Sequence, residues 1–462
     1  MSSLIDLGRK PGSFLAYIRD LAKAKVVETT NMIKKLAKDD PRRVVHSMKV
    51  GLALTLVSVL YYFRPTYDFF GEARLWAILT VVADFDFTAG GTLSKSLNRG
   101  CATMVASALG YGAAYVSVLG GVKAGQLAII GFLIFILATT ATFIRFIPKV
   151  KKKYDYGVMV FILSFSLGVV TGHWTTDILK LARQRLSIAI VGGTTCVVIS
   201  TLICPVWSGQ DLHNLVSGNI EKLADFLQGF GKEFASFGQE GGKFTYTESD
   251  DTSPFLGFKK VLGSKALAES LASSSSWEPP HGGFRYGYPW KQYLKIGVLN
   301  RECATQIEVL ERFILNSKPD QVSIYPEFHL KFQKPCSTMS IESSKALKEL
   351  SNATRNMRFP SSAVETHIRN SKVAAEELEA NIITLGNLSL PEHNLQETMQ
   401  LFLVASALID IIKCIEKISI SVNELAKKAH FKKSNSTHEE NSNPLGDING
   451  KKGCTIVPVS GA

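Results

Sequence analysis

The stretch GTLSKSLNRG, Gly91 to Gly100, sets Lys95 and Arg99 one helical turn apart between two long apolar runs. Cations are rare in such surroundings, because a charge placed in hydrocarbon costs roughly 2.5 to 3.5 kcal/mol on insertion scales. Working outward from it, the apolar runs approach the about 20 residues that a bilayer crossing needs. Six candidate spans follow: Val44–Phe63, Leu75–Thr88, Leu97–Leu119, Ala124–Phe146, Tyr156–His173 and Leu186–Cys204. Asp84 and Asp86 interrupt the second, which is expected to end at Gly90–Gly91. After Trp207 no such run recurs.

Composition agrees with that division. The chain of 462 residues is 46% hydrophobic and only 20% charged. Its mean hydropathy of +0.11 is high for a wholly water-soluble chain. The expected fold class is all-α, a polytopic membrane protein of six transmembrane helices followed by a cytosolic helical bundle. Its parts are a basic N-terminal arm (1–43), a membrane domain (44–207), a helical domain (208–430) and a polar, disordered tail (431–462). The first apolar run follows a long polar stretch without a small-residue cleavage pattern, so it is expected to stay in the mature chain.

Basic residues set the orientation. Arg9, Lys10, Arg19, Lys23, Lys25, Lys34, Lys35, Lys38, Arg42 and Arg43 crowd the arm, and Lys149, Lys151, Lys152 and Lys153 the loop between the fourth and fifth spans. Both regions belong on the cytosolic side by the positive-inside rule, and six crossings return the C-terminal half to it. Lys180, Arg183 and Arg185 then lie toward the outer face, against that rule. The net charge of +12 is read as contact between the arm and anionic inner-leaflet lipid rather than nucleic acid.

Beyond Trp207, apolar residues at three and four spacing predict helices over Leu212–Phe237, Phe258–Leu271, Trp290–Leu315, Ser340–Met357, Val364–Leu385 and Leu395–Ala429. The stripe Leu401, Val404, Leu408, Ile411, Ile412 and Ile415 is a bundle core. The Pro-, Gly- and aromatic-rich stretch WEPPHGGFRYGYPW, 277–290, is read as a structural loop across helices. Seven cysteines and nine histidines are scattered without metal-ligand or disulfide spacing. No nucleophile elbow, HExxH or phosphate loop occurs. An enzyme, a metal site and a cofactor are all disfavoured.

The membrane cations therefore carry the functional signal. The face that holds Lys95 and Arg99 continues through Ala102, Thr103, Ala106 and Gly110, small residues that let a helix line a lumen or pack closely. Arg185 shares its face with Ala189 and Gly192, whereas Arg183 points the other way with Lys180 and Ser187. Arg99, Arg185 and Lys95 are the expected lining of an anion pore. Asp86 and Asp84 are candidate counter-ions to Lys95, Arg99 or Arg185, and Arg183, Lys180, Arg145 and Lys149 are secondary basic candidates.

Five blocks carry a family resemblance: DPRRVVHSMKVGLALTLVS (40–58), LWAILTVV followed by FTAGGTLSKSLNRG, RFIPKVKKKYDYG (145–157), CPVWSGQDLH (204–213) and WEPPHGGFRYGYPWKQYLKIG (277–297). In this order they resemble the plant aluminium-activated malate transporter family across roughly Pro41 to Ala429. The resemblance implies a homodimeric anion channel of the plasma membrane, or alternatively of the vacuolar membrane or another endomembrane. It would pass malate, chloride, nitrate or sulfate through a basic pore at the dimer centre. It also implies anion binding at the arginine of LNRG, Arg99, and at a basic residue opening the sixth helix. Asp84, Gly91 and Pro280 depart from the family's usual residues. Outer carboxylates Asp68, Glu72 and Asp177 are too dispersed to predict strong aluminium activation. A coupled carrier of organic or aromatic acids and a non-transporting membrane anchor remain the alternatives.

Overall fold

The computed structural model describes residues 11–60, 62, 75–172, 178–236, 256–316, 326–386 and 395–433. Among these the chain is all-helical, without β-strands, and falls into two compact units that divide between Val206 and Trp207. Asp68, Glu72 and Asp177 lie outside the described residues, as does the tail from 434 onward.

The first unit contains α1 (Pro11–Asp39), α2 (Pro41–Leu60), α3 (Leu75–Asp84), α4 (Ala89–Val118), α5 (Lys123–Ile144), α6 (Pro148–Lys153), α7 (Asp155–Gly172) and α8 (Ile178–Leu202). Three stretches are long and apolar enough to cross a membrane: Ala89–Val118, Ala124–Ile144 and Ala182–Leu202. The apolar helix Asp155–Thr171 is shorter. α5 leaves Leu127, Phe132, Phe135 and Phe143 exposed on several sides, the pattern of a helix solvated by lipid.

Several boundaries differ from those expected. Gly90–Gly91 do not end the second span: α3 stops at Asp84, and both glycines lie in the first turn of α4. Two contacts place the restart there. Thr88 caps α4 by accepting the Gly91 N–H at 3.2 Å, and the Ala89 N–H donates to the Val206 carbonyl at 2.9 Å. The third span therefore begins eight residues before Leu97. α8 likewise begins at Ile178, which puts Lys180 and Arg183 on the helix rather than in an outer loop. The basic arm contains α1, a 29-residue helix.

Small residues set the packing of this unit. α4 packs most extensively on α7 and then on α8, burying Ala102, Ala106, Gly110 and Ala113. Ala53, Val57, Ala77, Val81, Ile188 and Cys196 close a second cluster of α2, α3 and α8. Side chains this small bring helix backbones together where lipid supplies no hydrophobic drive. Lys49, 3% exposed, donates to the Cys204 carbonyl at 2.8 Å, a cation satisfying the backbone just past the end of α8.

The second unit contains α9 (Ser208–Ser236), α10 (Gly257–Leu262), α11 (Lys265–Ser275), α12 (Trp290–Asn316), α13 (Pro326–Arg355), α14 (Ser362–Gly386) and α15 (Leu395–Lys428). Gly263–Ser264 divide the expected helix Phe258–Leu271 in two. α13 begins 14 residues before Ser340, running through Pro335. Its core is large and apolar, including Phe226, Phe230, Phe258, Phe332 and Tyr293, with Leu401, Val404, Leu408, Ile411, Ile412 and Ile415 of α15 all buried. Each side chain of the Leu, Ile or Phe class contributes roughly 1.5 to 3 kcal/mol when buried from water.

α13 lies against α9 along a row of serines. Ser337, Ser340, Ser344 and Ser351 donate to the carbonyls of Gly231, Leu227, Ala224 and Ser217 at 2.8, 2.7, 2.7 and 3.0 Å. A β-carbon at Gly231 would stand 2.8 Å from Ile341 Cγ1, so only glycine fits so close a crossing without movement. The loop 277–290 is anchored as a structural loop should be: Glu278 accepts the Ser208 and Gly209 N–H groups at the start of α9, at 2.5 and 3.0 Å. Trp207 stacks on His281 with ring centres 4.0 Å apart.

Candidate functional site

The site is built where α3 stops. Asp84 ends that helix and is fully buried, and the turn 85–88 reverses the chain into α4, which returns Arg99 to Asp84 after about three helical turns. Arg99 Nε donates to Asp84 Oδ1 at 2.9 Å and to Tyr156 Oη at 3.1 Å, and Nη1 donates to Thr80 Oγ1 at 3.2 Å. The Tyr156 hydroxyl, from the first turn of α7, donates to the same Asp84 oxygen at 2.5 Å. Three helices thus fix one guanidinium.

Arg185, on α8, is held differently. Its Nη2 donates to Thr171 Oγ1 at 3.0 Å and its Nη1 approaches the Ser164 carbonyl at 3.5 Å. The guanidinium carbon lies 5.7 Å from the centre of the Trp76 ring, within cation–π range. It has no acidic partner among the described residues.

Arg99 and Arg185 meet in one cavity of about 40 Å³, lined also by Trp76, Thr80, Thr103, Ser164 and Ala189. That is room for on the order of three water molecules or one small ion. Its polar lining comes from donors and hydroxyls, and Asp84, though bonded to Arg99, is not on the cavity wall. Such a pocket favours an anion, since guanidinium groups stay charged and match carboxylates or smaller anions through their N–H forks.

The other candidates lie elsewhere. Lys95 pairs with Asp86 at 3.1 Å, both about one-third exposed. Asp86 also accepts the Phe87 N–H at 2.7 Å. A β-carbon at Gly91 would come within 2.6 Å of the Asp86 carboxylate, so glycine makes room for this pair. The two carboxylates therefore divide between the two cations: Asp84 with Arg99, Asp86 with Lys95. Arg145 forms a two-pronged pair with Asp155, at 2.8 and 3.0 Å. Lys149, Lys180 and Arg183 are exposed, and none of them lines the cavity. Tyr156, Thr80, Trp76, Ser164 and Thr171 carry no signal in the sequence beyond their residue types. Trp76 and Thr80 sit in the block LWAILTVV and Tyr156 in RFIPKVKKKYDYG, whereas Ser164 and Thr171 lie in none of the five blocks.

Comparison with known proteins places the chain in a family. A family model described as aluminium activated malate transporter matches residues 34–390. The chain belongs to the aluminium-activated malate transporter family. It is 43% identical over 422 residues to aluminum-activated malate transporter 2 of Arabidopsis thaliana, covering 91% of this chain and 82% of that protein. Aluminum-activated malate transporter 1 of Arabidopsis thaliana is 41% identical over 411 residues, with 88% and 81% covered. The protein named aluminum-activated malate transporter 1 in Triticum aestivum is 40% identical over 400 residues, with 86% and 84% covered. Membership makes this a plant membrane transporter and not an enzyme.

Proposed function

We propose that this chain is an anion channel, passing malate and smaller inorganic anions such as chloride, nitrate and sulfate by electrodiffusion. Two copies form a homodimer whose basic pore runs along the two-fold axis. Each subunit crosses the membrane six times, and both termini and the helical second unit lie in the cytosol. The plasma membrane is the proposed location, and α1 contacts anionic lipid of its inner leaflet. No nucleic acid and no cofactor takes part.

The observation that carries this function is the cavity shared by Arg99 and Arg185. Two guanidinium groups from different helices face one space, and Arg185 brings no carboxylate with it. A half-buried cation without a counter-charge is expensive within a membrane unless an anion or water visits it. Arginines in series along a lumen concentrate anions, exclude cations and still release what they bind, because no single site is deep. Lys95, neutralised by Asp86, lies outside this cavity. The dimer follows from the small number of cations per subunit, since a two-fold axis doubles each ring.

Recordings with malate, chloride, nitrate and sulfate exchanged in turn test the proposal. Currents should reverse at the anion equilibrium potential and be indifferent to a proton or sodium gradient. A reversal potential that moves with either cation gradient would instead indicate a coupled carrier.

A further inference from the structure

Asp84 is a charge that an anion path does not need. The carboxylate is fully buried, and its Oδ1 takes the Arg99 Nε–H and the Tyr156 hydroxyl. Its Oδ2 is buried with no hydrogen-bond partner. Asp84 is thus fixed at the Nε of Arg99, while Nη2 has no protein partner among the described residues. An anion that visits the cavity meets Arg99 and Arg185 together, with the Asp84 carboxylate already bonded to one of the two guanidinium groups.

The charges around the cavity can be counted from the ion pairs. Arg99 and Arg185 are the cations that line it, and Lys95 and Asp86 neutralise each other outside it. Asp84 cancels Arg99, so each protomer offers one net positive charge rather than two. That difference matters because two opposing energies scale differently with the charge of the anion. Dehydration grows as the square of the charge, so for ions of similar size a dianion costs about four times as much as a monoanion. Attraction to the site grows only in direct proportion. A weakly positive site therefore favours singly charged anions, and each added positive charge shifts the balance toward the dianion.

We infer that Asp84 is a valence-selecting residue, whose carboxylate bonded to Arg99 biases the path toward singly charged anions such as chloride or nitrate and away from malate dianion. This rests on the anion-channel function proposed above. Tyr156 moderates the effect by donating its hydroxyl to the same oxygen and drawing off part of the negative charge.

The test is the malate-to-chloride permeability ratio, taken from reversal potentials under bi-ionic conditions with the full-length protein. Asp84→Asn keeps the shape and one acceptor but removes the charge, and the ratio should rise about tenfold. Asp84→Glu, which keeps the charge, should stay near the starting ratio. Tyr156→Phe exposes the carboxylate more fully and should move the ratio the opposite way, by about threefold. That variant leaves the Asp84–Arg99 pair in place, so it tests the idea even if Asp84→Asn fails to reach the membrane. A conducting Asp84→Asn channel with an unchanged ratio overturns the inference and leaves the channel function standing, as does a Tyr156→Phe ratio that is unchanged or raised. Absence of current from the unaltered protein in every anion overturns the channel function itself.

Discussion

The two units of this chain solve the same packing problem with different materials. In the first, helices meet through Ala53, Ala77, Ala102, Ala106 and Gly110, and the buried polar groups include three charges, Lys49, Asp84 and Arg99. In the second, Phe226, Phe230, Phe258, Phe332 and Tyr293 fill the centre, and the polar groups at the α9–α13 crossing are serines bonded to backbone carbonyls. The contrast matches the solvents proposed for them, lipid for the first unit and water for the second. Water drives large apolar side chains together, whereas lipid does not distinguish them from itself. Close backbone approach and ionic contacts then matter more, and an ionic contact inside a membrane is available for function.

The contrast can be broken in the second unit first, by thermal unfolding of the purified protein. Phe230→Ala should cost about 3 to 5 kcal/mol there, the usual range for emptying a packed aromatic site. A loss below about 1 kcal/mol would mean that aromatic burial does not hold this unit. Ser340→Ala removes one hydrogen bond to α9 and should cost about 1 kcal/mol. A larger loss would make the serine row a principal support instead of an accessory to close packing.

The smallest effect concerns acid. Glu342 is partly desolvated, which alone would raise its pKa, but Lys345, His367 and Asn370 outweigh that and hold it down to about 2. Ionised Glu342 therefore stabilises the folded unit at neutral pH. That contribution is lost as the pH falls from about 4.5, the ordinary value, toward about 2. Because the group is partly solvated, the loss should be modest. Glu342→Gln should lower the transition temperature at pH 7 and narrow its gap to the unaltered protein as the pH approaches 2. A gap constant across that interval would show that the carboxylate charge contributes nothing.

Sequence patterning reached most helices because apolar periodicity repeats over many residues. It failed where a single local contact decides the outcome. The break at 85–88 depends on the Thr88 cap and the Val206 carbonyl, which no pattern announces, so Gly90–Gly91 were expected to end a helix that in fact stops at Asp84. α13 was expected to start at Ser340 because Pro335 and the mixed residues before it hide its helical period. The same holds at the site. Arg99 and Arg185 were legible because a cation in an apolar run is conspicuous. Which carboxylate each cation meets was not, since the turn between α3 and α4 sets the pairing. Tyr156, Thr80 and Trp76 arrive from other helices with nothing unusual in their spacing.

The most direct test of the central claim compares Arg185→Ala with Arg183→Ala in malate and in chloride, with surface expression measured alongside. Arg185 lines the cavity with Arg99, and Arg183, two residues earlier on α8, does not. If the two-arginine cavity is the anion path, Arg185→Ala should lower the current at least tenfold at equal expression, Arg99→Ala should do the same, and Arg183→Ala should change it less than twofold. Full current and unchanged selectivity in Arg185→Ala, together with loss of current in Arg183→Ala, would contradict the account and move the path to the opposite face of α8.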